Sequence, residues 1–142
     1  MPTSSLSDKR INHYFSLAKN ASKFSDFDRQ HLGAVIIYKG RVLSVGWNST
    51  KTAPIQKSYN RLRGYDVETA KNSLHAECSA LIKCKDMDID WGRASVFVYR
   101  ELKDGSKAKS APCPACRQMI KDMGIKNIYY TVADGTAHER ID

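Results

Sequence analysis

His75-Ala76-Glu77 and, further on, Pro112-Cys113-Pro114-Ala115-Cys116 are the stretches from which this sequence is best read. His75, Cys113 and Cys116 are ligands of the kind Zn²⁺ prefers. Three protein ligands leave the fourth tetrahedral position open to water, the arrangement of a catalytic rather than a structural zinc. Glu77, two residues from the histidine, is placed to handle the protons of that water.

Both motifs sit at the start of helices. Ala76, Ala80, Leu81 and Cys84 share one face of a helix beginning at about His75, and Cys78 and Ile82 make it apolar most of the way round. That is the pattern of a helix packed against a sheet. Cys116, Met119, Ile120 and Met123 follow helical spacing, with a proline near the start and Gly124 just past the end. Two helix amino termini facing one point favour thiolate and hydroxide.

Working outward, Leu32 to Tyr38 is almost wholly apolar and β-branched, a strand buried on both faces. Lys39-Gly40 makes a tight reversal and Arg41 to Trp47 returns as a hairpin. Val96 to Tyr99 and Ile128 to Val132 are further strands. Residues 7–24 form an amphipathic helix on Ile11, Tyr14, Phe15, Ala18 and Ala21, opened by a weak capping box at Ser5-Leu6-Ser7-Asp8. Asn48 to Leu74 is a long polar segment with at most a short helix at Asp66 to Asn72, and such loops are usually functional or disordered. A second polar excursion, Arg100 to Lys109, turns at Asp104-Gly105. Strand-strand-helix-strand-helix-strand predicts a three-layer α/β/α domain whose mixed sheet has four to five strands, the last ones parallel through right-handed crossovers.

In their order, His31-Leu32-Gly33-Ala34-Val35-Ile36, Gly46-Trp47-Asn48, His75-Ala76-Glu77, Ser110 to Cys116 and Gly124 to Tyr130 resemble the cytidine/deoxycytidylate deaminase superfamily. They cover most of residues 31–130. The closest likeness is to small phage and bacterial deoxycytidylate deaminase-like proteins. The resemblance implies one deaminase domain over 1–142 with its core at 7–132, and Zn²⁺ as cofactor. It implies hydrolytic deamination at C4 of a cytosine nucleotide, with Glu77 moving the protons. The implied substrate-binding positions are Asn48, Ala76, Ser110 and Pro112: Asn48 at the sugar, and a backbone N–H of Ala76 or Cys113 at the base. Lys51, Lys57, Arg61 and Arg63 are candidates for a phosphate. The family often adds a further strand and helix at the carboxyl end, for which the residues after Val132 leave little room. A homo-oligomer is also implied.

Hydrophobic content of 42%, charged content of 27% and 142 residues are ordinary for one globular domain. Met1-Pro2-Thr3-Ser4-Ser5 has no signal-peptide pattern, and no apolar run approaches a membrane span. Four cysteines, two in Cys-x-x-Cys below a histidine, suit metal in a reducing cytosol better than a disulfide framework. The net charge of +8 suits phosphorylated substrates or nucleic acid, or serves solubility alone.

Other readings stay open at this point. A redox Cys-x-x-Cys would leave His-Ala-Glu unexplained, and a structural zinc would need a fourth ligand from Cys78, Cys84, His31 or His138. Cys78 and Cys84 otherwise read as core thiols, and Asn48 as a turn residue. Against a deoxycytidylate deaminase stand a cytidine or deoxycytidine deaminase and a deaminase of cytosine in single strands or of adenosine in tRNA. For the polynucleotide case Tyr59 and Tyr65 would stack bases. An idle zinc module used for binding is the reading from another class, and the intact Glu77 opposes it.

Overall fold

The computed structural model describes residues 6–64, 67 and 73–141. Five strands form one mixed sheet: β1 (Gln30–Tyr38), β2 (Arg41–Trp47), β3 (Ala94–Leu102), β4 (Asn127–Val132) and β5 (Gly135–Arg140), in the spatial order β2-β1-β3-β4-β5. Only β3 and β4 run parallel, as the right-handed crossover predicts. Helix α1 (Asp8–Ser22) covers one face; α2 (Pro54–Asn60), α3 (Ala76–Cys84) and α4 (Pro114–Met123) cover the other.

Strand alternation builds the two cores. Ala34 and Ile36 of β1 and Val96 and Val98 of β3 meet Ala80 and Leu81 of α3 and Ile120 of α4. Val35, Ile37, Phe97, Tyr99 and Tyr129 meet Tyr14, Phe15 and Ala18 of α1 on the opposite face. Phe97 and Tyr129 stack at 4.3 Å between centroids, and Phe15 meets Phe97 edge-on at 5.2 Å. The β1–β2 hairpin turns on Lys39 and Gly40, both with positive φ, as a two-residue reversal with right-handed strand twist requires. Ser7 caps α1, its Oγ accepting the Arg10 N–H at 3.3 Å.

Two glycines let helices approach the sheet. A Cβ at Gly46 would lie 2.4 Å from the Ala80 nitrogen and 2.5 Å from the Ala76 oxygen, so α3 rests directly on β2. A Cβ at Gly33 would lie 1.9 Å from the Ala18 oxygen, and α1 rests on β1 in the same way.

Three elements depart from the sequence expectations. Helix α2 lies inside the segment expected to be loop, started by Pro54 at its first position and followed by a 3₁₀ turn at Arg61–Arg63. Strand β3 runs on to Leu102 because Arg100, Glu101 and Leu102 pair with Leu32, His31 and Gln30. The residues after Val132 hold the strand expected to lack room: β5 folds back antiparallel on β4, and Arg117 of α4 forms a two-pronged ion pair with Glu139. The helix expected at Asp66 to Asn72 lies, Val67 apart, outside the described residues. Among the described residues no helix is long and apolar enough to cross a membrane.

Candidate metal and substrate site

His75 is the residue before the first turn of α3, and Cys113 is the residue before the first turn of α4. Both are extended, and each aims its side chain off a helix amino terminus toward one point. Nδ1 of His75 lies 3.2 Å from Sγ of Cys116 and 3.5 Å from Sγ of Cys113. In a tetrahedral zinc site with Zn–S of about 2.3 Å and Zn–N of about 2.0–2.1 Å, the N···S edge is about 3.6 Å. The donor set therefore fits Zn²⁺ in both chemistry and spacing. Among the described residues Cys78, Cys84, His31 and His138 do not join this cluster. His31 Nε2 meets the Phe27 carbonyl at 2.7 Å, His138 Nε2 meets Asn127 Oδ1 at 2.9 Å, and the two cysteines are buried. A zinc held by these three alone would have its fourth position open.

Burial and hydrogen bonding tune the group. The Cys116 thiol hydrogen-bonds Cys113, so Cys113 is held well below the usual thiol range, with the His75 ring adding to the effect. Cys116 is correspondingly raised, by that same bond and by burial. Burial works to lower the His75 ring, but the Cys113 bond and the Glu77 charge prevail and raise it. Glu77, only 3% exposed, is raised chiefly by burial. Its Oε1 is buried without a protein partner at the wall of the cavity.

That cavity has a volume of about 310 Å³, at the small end of ligand pockets. His75, Ala76, Glu77 and Cys113 line it, and so do Arg63, Arg100 and Lys109. Glu77 is the single carboxylate among the described lining residues, so the lining carries three cations and one acid. Arg100 donates from Nη1 to the Lys109 carbonyl at 3.1 Å, and its Nε is buried without a partner. Arg63 lies 3.1 Å from Nε2 of His75.

The expected substrate positions fare differently. Ala76 and Asn48 line the cavity. Asn48 is 5% exposed and ties down β1: its Oδ1 accepts the Leu32 N–H at 2.9 Å and its Nδ2 donates to the Gln30 carbonyl at 3.4 Å. The second amide N–H is what it can offer a sugar. Ser110 also lines the cavity, but its hydroxyl is spent on the Val98 carbonyl at 2.8 Å, the Thr131 hydroxyl at 2.9 Å and the Thr131 N–H at 2.8 Å. Pro112 is buried beside the cavity without lining it, whereas Ala111 does line it. Of the four expected phosphate cations only Arg63 reaches the cavity; Lys51, Lys57 and Arg61 do not line it. Tyr59 is partly buried against the α3–α4 core and its hydroxyl donates to Asp122 at 2.6 Å. Tyr65 lies outside the described residues.

Arg100, Lys109 and Gln30 were not singled out from the sequence. The signal for Arg100 was there, since Val96, Val98 and Arg100 alternate onto one face and the last stands near the carboxyl end of its strand, where α/β ligand sites lie.

Comparison with known proteins agrees with this geometry. The family described as the cytidine and deoxycytidylate deaminase zinc-binding region matches residues 8–132. The deoxycytidylate deaminase of Mycobacterium phage D29 is 28% identical over 128 residues, covering 83% of this chain and 91% of that protein. The apo dCMP deaminase of cyanophage S-TIM5 is 25% identical over 89% of this chain and 86% of that one, with a TM-score of 0.63. In fold the chain also matches the cytidine deaminase of Burkholderia pseudomallei, 17% identical over 91% of each chain, with a TM-score of 0.62.

Proposed function

This chain belongs to the cytidine and deoxycytidylate deaminase family and is a hydrolytic deaminase; on that premise we propose that it converts deoxycytidylate to deoxyuridylate and ammonia. His75, Cys113 and Cys116 hold Zn²⁺ in this reading. When bound, the ion lowers the pKa of coordinated water to about 7 and so supplies a nucleophile at neutral pH.

The chain's own groups do the rest. Glu77 Oε1, buried and unpartnered at the cavity wall, takes a proton from the attacking water and hands it to N3 of the cytosine ring. A second transfer through the same carboxylate lets the amine at C4 leave as ammonia, so one carboxyl serves water, ring and leaving group. The amino termini of α3 and α4 place N–H groups around the base, and Asn48 offers its second amide N–H to the sugar.

The observation that carries the nucleotide reading is the basic lining. Arg63, Arg100 and Lys109 line a small cavity with a single acid, which suits a ligand with a neutral ring and an anionic tail. The 28% identity to a phage deoxycytidylate deaminase supports the same choice.

The test is selectivity. Arg100→Ala and Arg63→Ala should each raise KM for deoxycytidylate about tenfold, the 1.4 kcal/mol scale of one charge-assisted contact, and leave kcat/KM for deoxycytidine unchanged. Equal losses on both substrates would remove the phosphate from the proposal.

A further inference from the structure

We propose that Gln56, a residue of α2 remote from the reacting atoms, is a positioning residue that sets His75 for the metal; the inference rests on the metal site proposed above. Gln56 is 1% exposed and Asn60, one turn on, is fully buried. A buried primary amide is costly unless both its ends are bonded. Here both are: Oε1 accepts the backbone N–H of His75 at 3.0 Å, and Nε2 donates to Oδ1 of Asn60 at 2.8 Å. The partners fix which way the amide points, because an N–H must face its oxygen and an oxygen its NH₂.

The geometry gives this bond a task beyond satisfaction. His75 precedes the first turn of α3, where a backbone N–H has no helical partner. Its carbonyl is held by the Ser79 N–H at 2.9 Å. Gln56 holds the other side of the same Cα, so two side-chain torsions alone remain to bring Nδ1 to the sulfurs. Helix α2 is also tied to the helix that carries Cys116, through the Tyr59 hydroxyl on Asp122 at 2.6 Å. It therefore bridges the element that presents the histidine and the element that presents the cysteines. An apolar side chain of similar size would fill the space and lose that registration.

The experiment measures zinc affinity by competition with a chromophoric chelator, at a temperature where each metal-free chain is folded by circular dichroism. Partners that orient a ligand typically contribute 10–100-fold in metal affinity, so Gln56→Leu should weaken zinc binding by roughly that factor. Gln56→Glu keeps an oxygen for the His75 N–H and should restore most of the affinity. Should Gln56→Leu fail to fold, Gln56→Asn carries the test: one methylene shorter, its oxygen cannot reach, and it should weaken zinc as Leu would. Parental affinity in a folded Leu or Asn variant overturns the inference, as does a Glu variant as weak as Leu. A parent chain that takes up no zinc overturns the metal site itself, and this inference with it.

Discussion

Gly46→Ala tests how the sheet places α3, the helix of the proposed catalytic carboxylate. The added Cβ would stand 2.4 Å from the Ala80 nitrogen and 2.5 Å from the Ala76 oxygen, both backbone atoms that no rotamer change can move. Ordinary contact begins at 3.4 Å, so α3 must retreat from β2 by about 1 Å. His75 just precedes the first turn of that helix and Glu77 lies in it, both next to the Ala76 contact, and they move with it. Overpacking of this kind costs about 1–3 kcal/mol, a fall in Tm of roughly 2–12 °C for a chain of this size. A displacement of about 1 Å at reacting groups costs about 10²-fold in rate. Gly33→Ala is the control: its Cβ would lie 1.9 Å from the Ala18 oxygen, a harsher clash, but against α1, which lends no residue to the cavity. It should lose at least as much Tm, while the folded fraction keeps its zinc affinity and turnover. Thermal melts with zinc titration and ammonia release on both variants read all of this. A Gly46→Ala chain with parental turnover, or a Gly33→Ala chain as impaired in chemistry as Gly46→Ala, would refute the reasoning.

Glu77→Gln should retain one zinc per chain and lose about 10²–10⁴-fold in kcat, because in the proposed mechanism the carboxylate moves protons and does not bind metal; metal analysis beside steady-state rates checks both halves. Cys113→Ser and Cys116→Ser should lose zinc and, with it, thermal stability, since the ligands join α3 to α4. Ser110→Ala strips the buried partner from the Thr131 N–H and the Val98 carbonyl and should cost about 1–3 kcal/mol in denaturant unfolding with KM unchanged. The Asp122 hydrogen bond pushes the Tyr59 phenol up from 10.0 to about 12. Its folded pKa is the higher, so its contribution stands in full below about pH 10 and is lost as pH rises through about 12. Unfolding of Tyr59→Phe should therefore depend less on pH across that alkaline window than unfolding of the parent.

The candidate metal donors were legible because their chemistry is local: His75 and Cys113 each stand just before a helix whose apolar spacing is strong, and Cys116 lies in the first turn of the second. The hairpin was legible through the turn it demands at Lys39-Gly40. Helix α2 was not, because what stabilises it is tertiary. Gln56 and Asn60 are polar on the side that faces the core, and bonds such as those to His75 and to each other, which spacing does not reveal, let that side be buried. Strand β5 was missed for a related reason. Thr136, His138 and Glu139 lack the apolar alternation of a strand, and they hold it by pairing with β4, by stacking His138 on Tyr129 at 4.4 Å and by the Arg117–Glu139 ion pair. Arg100 and Lys109 meet at the cavity although nine residues separate them, through a carbonyl contact that spacing does not reveal.

The most direct measurement is ammonia release from deoxycytidylate, deoxycytidine, cytidylate, a cytosine-containing single strand and an adenosine tRNA stem-loop, each at about 50 and 200 mM salt. In the proposed reading a mononucleotide engages the cavity's cations through one phosphate, so its KM should shift only modestly, whereas a strand held by several phosphates loses affinity with a log–log slope of roughly −0.7 per contact. The account predicts turnover of deoxycytidylate above every other substrate, with a shallow salt slope and a loss of activity on chelation that added zinc reverses. Turnover confined to the single strand or the stem-loop, falling steeply with salt, would contradict it.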